Sequence, residues 1–430
     1  MKAAIALLIS LLAVLGVAAG KKVLRPAPKE LPAQPASCRL VLAPLSGDKP
    51  VDHEIARQQA LILSGSTPSL ERLGWAFVKK ARSSFDAGFY KLAEQCAACM
   101  EARGSGGPDA LLLRAHALQS LHHFAAAESA ARKLVSLRER PFDYGVLGDV
   151  LIDQGKVREA AAAYQKMVDL RPDLQSYARA AHVRWLTGDL DGALGLMKLA
   201  TGASSPNDPD ASAWAFTRLA LYQLQRGVTK QALESCDAAL SLQSDYPPAM
   251  FARGRTLLAM NRATEALIEL QRAAKLNPLP EYQWALEDVL NIESQIVVRD
   301  GTEDSRTLSL YLATRHQDIE RAVKLAQQEL TNREDIFTHD ALAWALAAAG
   351  RPTEAQQHMN QALSEGTADA RLCLHARVIA ALNADNKQAR RWLEQAAAIK
   401  QMLLPSERVQ LEEWRQRVCQ KNSTNPRSKN

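Results

Sequence analysis

The chain holds 430 residues, 47% of them hydrophobic but only 5% aromatic, with a formal charge of +6. Leu and Ala dominate and alternating, strand-like runs are nearly absent, which points to an all-α chain. So small a charge, with no dense Lys/Arg run carrying interleaved aromatics, excludes nucleic acid as an expected partner.

Residues 1–20 read as a signal peptide or membrane anchor. Lys2 precedes an apolar run of 17 residues, Ala3 to Ala19, and Val17-Ala18-Ala19 satisfies the small-residue rule for cleavage. The same run is long enough to span a bilayer, and Lys21, Lys22 and Arg25 directly after it oppose cleavage and translocation. The chain is therefore expected to be exported, periplasmic or anchored in the inner membrane, with membrane association through residues 3–19. Residues 21–69 read as a proline-rich linker and an irregular N-terminal segment, with Pro26, Pro28, Pro32 and Pro35 making a semi-extended spacer. Cys38 follows Ala-Ser as a lipoprotein acceptor does, but it lies 19 residues beyond the apolar run, which argues against lipidation.

From about residue 70 the chain repeats itself. Ala93, Ala127, Ala160, Ala193, Ala232, Ala266, Ala322, Ala355 and Ala389 follow one another at gaps of 34, 33, 33, 39, 34, 56, 33 and 34 residues. Self-similarity at such a period is the signature of a solenoid. The unit is clearest from Phe142 to Pro172. Tyr144, Leu147, Gly148 and Leu151 form one helical stripe, and Asp153-Gln154-Gly155-Lys156 is a polar break. Val157, Ala160, Tyr164 and Met167 form a second stripe that Pro172 stops. Two short amphipathic helices cannot bury their apolar faces alone, so neighbouring units must stack. Gly148 and Ala160 are small because the helices cross there.

This pattern resembles the tetratricopeptide repeat (TPR) family through Tyr144, Leu147-Gly148, Leu151, Gly155, Ala160, Tyr164 and Pro172. Met250, Gly254, Leu257, Ala266, Leu270, Ala273 and Pro278 match similarly, with Asn261 at the turn. Ala343, Leu346, Gly350, Ala355, Met359 and Ala362 fit the same register. In the units around Ala127 and Ala389, His122 and Ala384 stand in place of the turn glycine. The resemblance, of bacterial type, implies an all-α, right-handed superhelical solenoid of about nine TPR-like helix-turn-helix units, six over 70–278 and three over 304–400. The 39-residue gap places a loop near Thr201–Asp210. Residues 279–303 read as an irregular insert: an extra helix over Glu281–Ser294, the apolar run Ile296–Val298, then Arg299-Asp300-Gly301. A continuous solenoid with a local irregularity is preferred there over a hinge. Residues 401–420 read as a C-terminal capping helix, charged over Glu407–Arg417, and 421–430 as a disordered tail.

Cys96-Ala-Ala-Cys99 is the one motif with enzymatic appeal, since a C-x-x-C pair at a helix N-terminus is redox-active. It falls late in the second helix of the first unit, which favours small core residues over a thiol-redox or disulfide-handling role. Cys236, Cys373 and Cys419 stand alone, and six cysteines in an exported chain could pair in ways the sequence does not specify. His122-His123 occupies a turn, and His339-Asp340 opens a first helix with no nucleophile motif beside it. No phosphate-binding glycine loop, dinucleotide fingerprint or zinc ligand set occurs. No enzyme activity, cofactor, metal or small-molecule substrate is expected.

In the TPR family the first helices line a concave groove in which ligand peptides lie. Carried over by register, the groove positions are Lys79 and Arg82, Leu113 and His116, Val146 and Asp149, Arg179 and His182, Arg218 and Leu221, and Ala252 and Arg255. The Lys-and-Asn pair of the family's C-terminal carboxylate clamp does not occur among them. The partner-binding residues so implied are Lys79, Arg82, His116, Asp149, Arg179, His182, Arg218 and Arg255. A row of guanidinium groups suits an acidic protein or peptide; alternatively, these arginines solubilise the wall or pair with neighbouring acids. Trp185 and Trp344 fall at or near the groove, as anchors or as core. The expected function is a non-enzymatic protein-interaction scaffold. The alternatives are the thiol-redox factor on Cys96 and Cys99, or an envelope-complex assembly factor using the outer surface.

Overall fold

The computed structural model describes residues 35–290 and 305–423, with side chains as far as residue 417. The expected signal or anchor, the Ile296–Val298 run with Arg299-Asp300-Gly301, and the end of the tail lie outside the described residues.

Every regular element among the described residues is a helix. Two N-terminal helices, α1 (Ala36–Val41) and α2 (Pro50–Leu63), fill a stretch expected to be irregular. Six hairpins follow: α3 (Ser69–Ser84) with α4 (Gly88–Ala102), α5 (Pro108–Ser120) with α6 (Phe124–Leu137), α7 (Pro141–Asp153) with α8 (Val157–Leu170), α9 (Leu174–Leu186) with α10 (Leu190–Gly202), α11 (Pro209–Arg226) with α12 (Thr229–Leu242), and α13 (Pro247–Ala259) with α14 (Ala263–Leu276). A single helix α15 (Pro280–Leu290) precedes three more: α16 (Ser305–Thr314) with α17 (Ile319–Leu330), α18 (Ile336–Ala348) with α19 (Pro352–Ala362), and α20 (Ala370–Leu382) with α21 (Asn386–Ala398). A 3₁₀ turn, Lys400–Met402, leads into α22 (Pro405–Ser423).

Local chemistry sets these boundaries. Pro141, Pro209, Pro247 and Pro352 sit in first turns, where a missing N–H costs nothing. Asp173, Asp335, Asp369 and Asp385 cap helices by accepting from the N–H groups of Ser176, Thr338, Leu372 and Gln388. Each of the nine turns inside a hairpin places at least one residue at positive φ: Phe85, His122, Gly155, Gly188, Gly227, Asn261, His316 with Asp318, Gly350 and Ala384. His122, Asn261 and Ala384 thus adopt the left-handed conformation at the places where glycine was missing.

The alanine ladder is the core. Ala93, Ala127, Ala160, Ala193, Ala232, Ala266, Ala322 and Ala355 have no exposed surface, and Ala389 is also buried. A Cβ added at Gly148 would overlap the Tyr164 ring, so the crossing does require a small residue there. The stack runs on through α15: Trp284 meets Tyr311 edge-on at 6.1 Å, and the Tyr311 hydroxyl donates to Glu287 at 3.1 Å. One apolar cluster extends from Met250 to Leu404 across that region.

The last three hairpins and the segment after them then pack back along the turn edge of hairpins two to six, a closure that no repeat pattern announces. Val157 and Leu186 bury against Ile336, and Phe337 stacks on Trp185 at 5.9 Å. Arg333 lies 3.6 Å from Asp153 and over the Phe124 ring. Gln225 donates to the Ala368 carbonyl at 2.6 Å, Thr367 to that of Leu186, and Arg408 to that of Leu258 at 3.1 Å. Two turn glycines lie directly on this seam. A Cβ at Gly155 would overlap the Glu334 carbonyl, and one at Gly188 would sit 2.7 Å from the Gly366 oxygen.

Candidate functional site

The first helices of hairpins one to six form one inner wall, and it carries the residues implied by the repeat register. Trp75, Lys79 and Arg82 share a face of α3, with Lys79 and Arg82 exposed. Arg82 lies 3.0 Å from His116 Nε2, and the His116 ring packs on Trp75 at 5.4 Å. Burial, then the Arg82 charge, lowers His116 to about 3, so the ring is neutral. Two hairpins on, burial and then Arg218 do the same to His182, whose Nδ1 is 3.5 Å from the Arg218 guanidinium.

Burial and then Asp210 push the Tyr246 hydroxyl up to about 12, while Arg82 of the first hairpin and Arg218 of the fifth both act on it in the opposite sense.

The cations of the wall fall into two groups. Arg179 is committed: it grips Asp149 through two hydrogen bonds of 2.8 and 2.7 Å, and Tyr164 donates to the same carboxylate at 2.8 Å. Arg255 donates to the Met402 carbonyl and lies over Phe251. Among the described residues, in contrast, Lys79, Arg82 and Arg218 form no ion pair. Leu113, Val146 and Ala252, expected to face the groove, are core residues instead. Lys79, Arg179 and Arg218 hold the same register position without being buried, so register alone does not decide which of these side chains reaches the wall.

Two aromatics went unrecognised in the sequence. Phe142 is 39% exposed and Trp214 40%, each on the inner face of its helix, seven residues before Asp149 and four before Arg218. That spacing was the available signal. Trp185 is not an open anchor: it donates to Gln225 at 2.7 Å and is sandwiched near His182, Tyr222 and Phe337. Trp344 stacks on His375 at 4.2 Å, and His375 is held by the buried Asp340 at 2.9 Å. His339 meets His358 with their Nδ1 atoms 3.1 Å apart.

The thiol-redox reading is corrected. Cys99 is joined to Cys38 on α1, not to Cys96. Cys96 is fully buried, and burial, then Glu94, pushes its thiol well above the usual range, the opposite of an activated nucleophile. Cys236 and Cys373 are buried and pushed up to about 12. Among the described residues no group of three or more His, Cys, Asp and Glu side chains is placed to hold a metal ion, and no helix is long and apolar enough to cross a membrane.

A family model described as "Tetratricopeptide repeat" matches residues 144–174, the third hairpin. No curated protein matches the chain. Among solved structures it is similar to one titled as the APC/C hetero-tetramer Cut9-Hcn1, at 16% identity and a TM-score of 0.44, over 80% of this chain and 59% of that one. The human IFIT1 dimer with PPP-AAAA is similar at 12% identity and a TM-score of 0.43, over 83% of this chain and 96% of that one. YrrB, titled a TPR protein with an unusual peptide-binding site, is similar at 18% identity and a TM-score of 0.31, over 42% and 90%. Residues 144–174 thus carry a tetratricopeptide repeat, and among the described residues nine helical hairpins, this one included, stack on a shared alanine ladder as an all-α repeat solenoid.

Proposed function

We propose that the protein is a non-catalytic interaction scaffold whose inner wall holds a segment of a protein partner. The observation that carries this reading is the inner face of α3, α7 and α11. Lys79, Arg82 and Arg218 stand there without an ion pair, beside the half-exposed Phe142 and Trp214. Cations without an ion pair attract carboxylates, and partly exposed aromatics supply apolar anchors. A partner segment combining acidic and apolar side chains fits both.

The reading includes export. The apolar run Ala3–Ala19 supports it, and so does the Cys38–Cys99 disulfide, because such bonds persist in oxidising compartments.

The test is a crosslinking pull-down from intact cells, with the chain tagged at Asn430 and membrane and soluble fractions probed apart. The informative variant is Arg82→Glu with Arg218→Glu. Reversing Arg179 would strand Asp149 and damage the wall itself. One or two defined partners, lost with the double reversal and kept in Arg57→Glu, would support the groove reading. Partners indifferent to the reversal would move the site to the outer edge. That second reading is favoured by the exposed Leu137, Leu170 and Leu276, each ten residues beyond a ladder alanine.

A further inference from the structure

Part of the inner wall is already occupied by the chain itself. The 3₁₀ turn Lys400–Met402 lies against the first helices α11, α13 and α20, on the wall rather than beyond the end of the stack. Gln401 donates to the Gln225 carbonyl at 2.5 Å, and Arg255, a residue the repeat register assigns to ligand binding, donates to the Met402 carbonyl. Leu403 and Leu404 follow and are buried. The contact therefore shares features of a bound peptide: a short 3₁₀ segment, the Met402 carbonyl taken by the wall side chain Arg255, and Leu404 anchored in the apolar cluster that holds Met250 and Leu257 of α13.

The charges on this segment are poorly matched. Among the described residues neither Arg255 nor Arg408 forms an ion pair. Arg408 spends its donors on the carbonyls of Leu403, Leu258 and Gln401 at 3.0 to 3.1 Å. Burial lowers both guanidinium groups from their ordinary range, and Arg255 adds to the effect on Arg408. The carboxylates near Arg255 are Glu281, Asp369 and Glu407, with Arg371 opposing them. Glu407 is spent on Arg371 at 2.7 Å. Neutral carbonyls are weaker acceptors for such cations than carboxylates are.

We propose that Lys400–Leu404 is an intramolecular plug of the fifth and sixth hairpins, displaced when a partner segment brings carboxylates to Arg255. The proposal rests on the reading of the inner wall as the binding surface. The plug lowers apparent affinity in proportion to the fraction of time it is seated. It also rejects neutral segments, which gain nothing over the carbonyls already present.

The test uses the full chain and a fluorescein-labelled peptide of its own residues 398–408 bearing Gln401→Glu and Met402→Glu. Three forms of the protein are compared: unaltered, Gln401→Ala, and Gln225→Cys with Gln401→Cys joined by a short bismaleimide. Among the described residues the free thiols, Cys96, Cys236 and Cys373, are buried and do not compete for the crosslinker; Cys419 is replaced by Ser in all three forms so that it does not react. The expected order is tightest binding to Gln401→Ala, by roughly 5- to 10-fold over the unaltered chain, and at least about 10-fold weaker binding to the crosslinked form. Amides 399–404 should also exchange faster in Gln401→Ala. Equal affinity in all three forms, or no binding by any, overturns the proposal and makes the segment fixed packing. If the order holds but the double reversal of Arg82 and Arg218 leaves partner capture intact, the plug stands and only the wider groove reading fails.

Discussion

Each hairpin turn needs one residue at positive φ, and only four of the nine use glycine. A side chain there costs about 1–2 kcal/mol, so Ala384→Gly should stabilise the protein by about 1 kcal/mol. Gly350→Ala, at φ +72 with open space around it, should destabilise by a similar amount. Gly155 has the same φ of +72 but lies against the Glu334 carbonyl. Gly155→Ala should cost about 1–3 kcal/mol beyond Gly350→Ala, because the backbone must shift. Urea denaturation of the three variants reads the differences; equal losses for the two glycines would remove the seam contact. The two inner-wall histidines give a second prediction. Their folded pKa of about 3 lies below the usual 6.5. Below pH 6.5 the unfolded chain takes up these protons and the folded chain does not. Stability is therefore complete above pH 6.5 and falls toward pH 3, by about 2 kcal/mol per histidine at pH 5. The melting temperature of His116→Gln with His182→Gln should fall less between pH 7 and 5 than that of the unaltered chain. Parallel curves would mean that the rings are not shielded.

At the scale of the element, the hairpins were legible because they obey one rule nine times over. A buried alanine must recur where two helices cross, and nothing but the period is needed to see it. The groove was half legible. Register located Arg82, Arg179 and Arg218, but pairing depends on which acid a neighbouring hairpin presents, so Arg179 and Arg218 look alike until Asp149 is placed beside one of them. The disulfide was not legible at all. Cys38 lies outside the repeat, where periodicity carries no information, and Cys99 sits in a C-x-x-C spacing that suggested the wrong partner. The bond closes a loop across 61 residues and fastens α1 to α4. Its loss through Cys38→Ser should cost about 2–4 kcal/mol, felt locally because repeats contact mainly their neighbours. Amide exchange should quicken in α1 to α4 and stay unchanged from α7 onward. Cys96→Ala should leave α1 protected, and a loss of α1 protection in that variant would contradict the pairing of Cys99 with Cys38.

For the whole molecule, the seam decides whether this solenoid behaves as a line of units or as one body. In a line, stability is a sum of units and nearest-neighbour interfaces, so a lesion propagates only to adjacent repeats. Here the eighth hairpin is also pinned to the third and fourth, through Ile336 on Val157 and Leu186 and through Phe337 on Trp185. Ile336→Ala should cost about 2–4 kcal/mol and quicken amide exchange in two places far apart in sequence: α18 itself, and the turns between α7 and α8 and between α9 and α10. Met359→Ala removes an equally buried side chain from the partner helix α19, away from the seam. Its effect should stay within hairpins seven to nine. Hydrogen exchange by mass spectrometry on the two variants separates the cases. If Ile336→Ala leaves the third and fourth hairpins as protected as before, the closure contributes no coupling and the chain is energetically an open stack. If both regions respond together, the two ends of the repeat array share one stability, and a partner bound to the wall of one half is felt by the other.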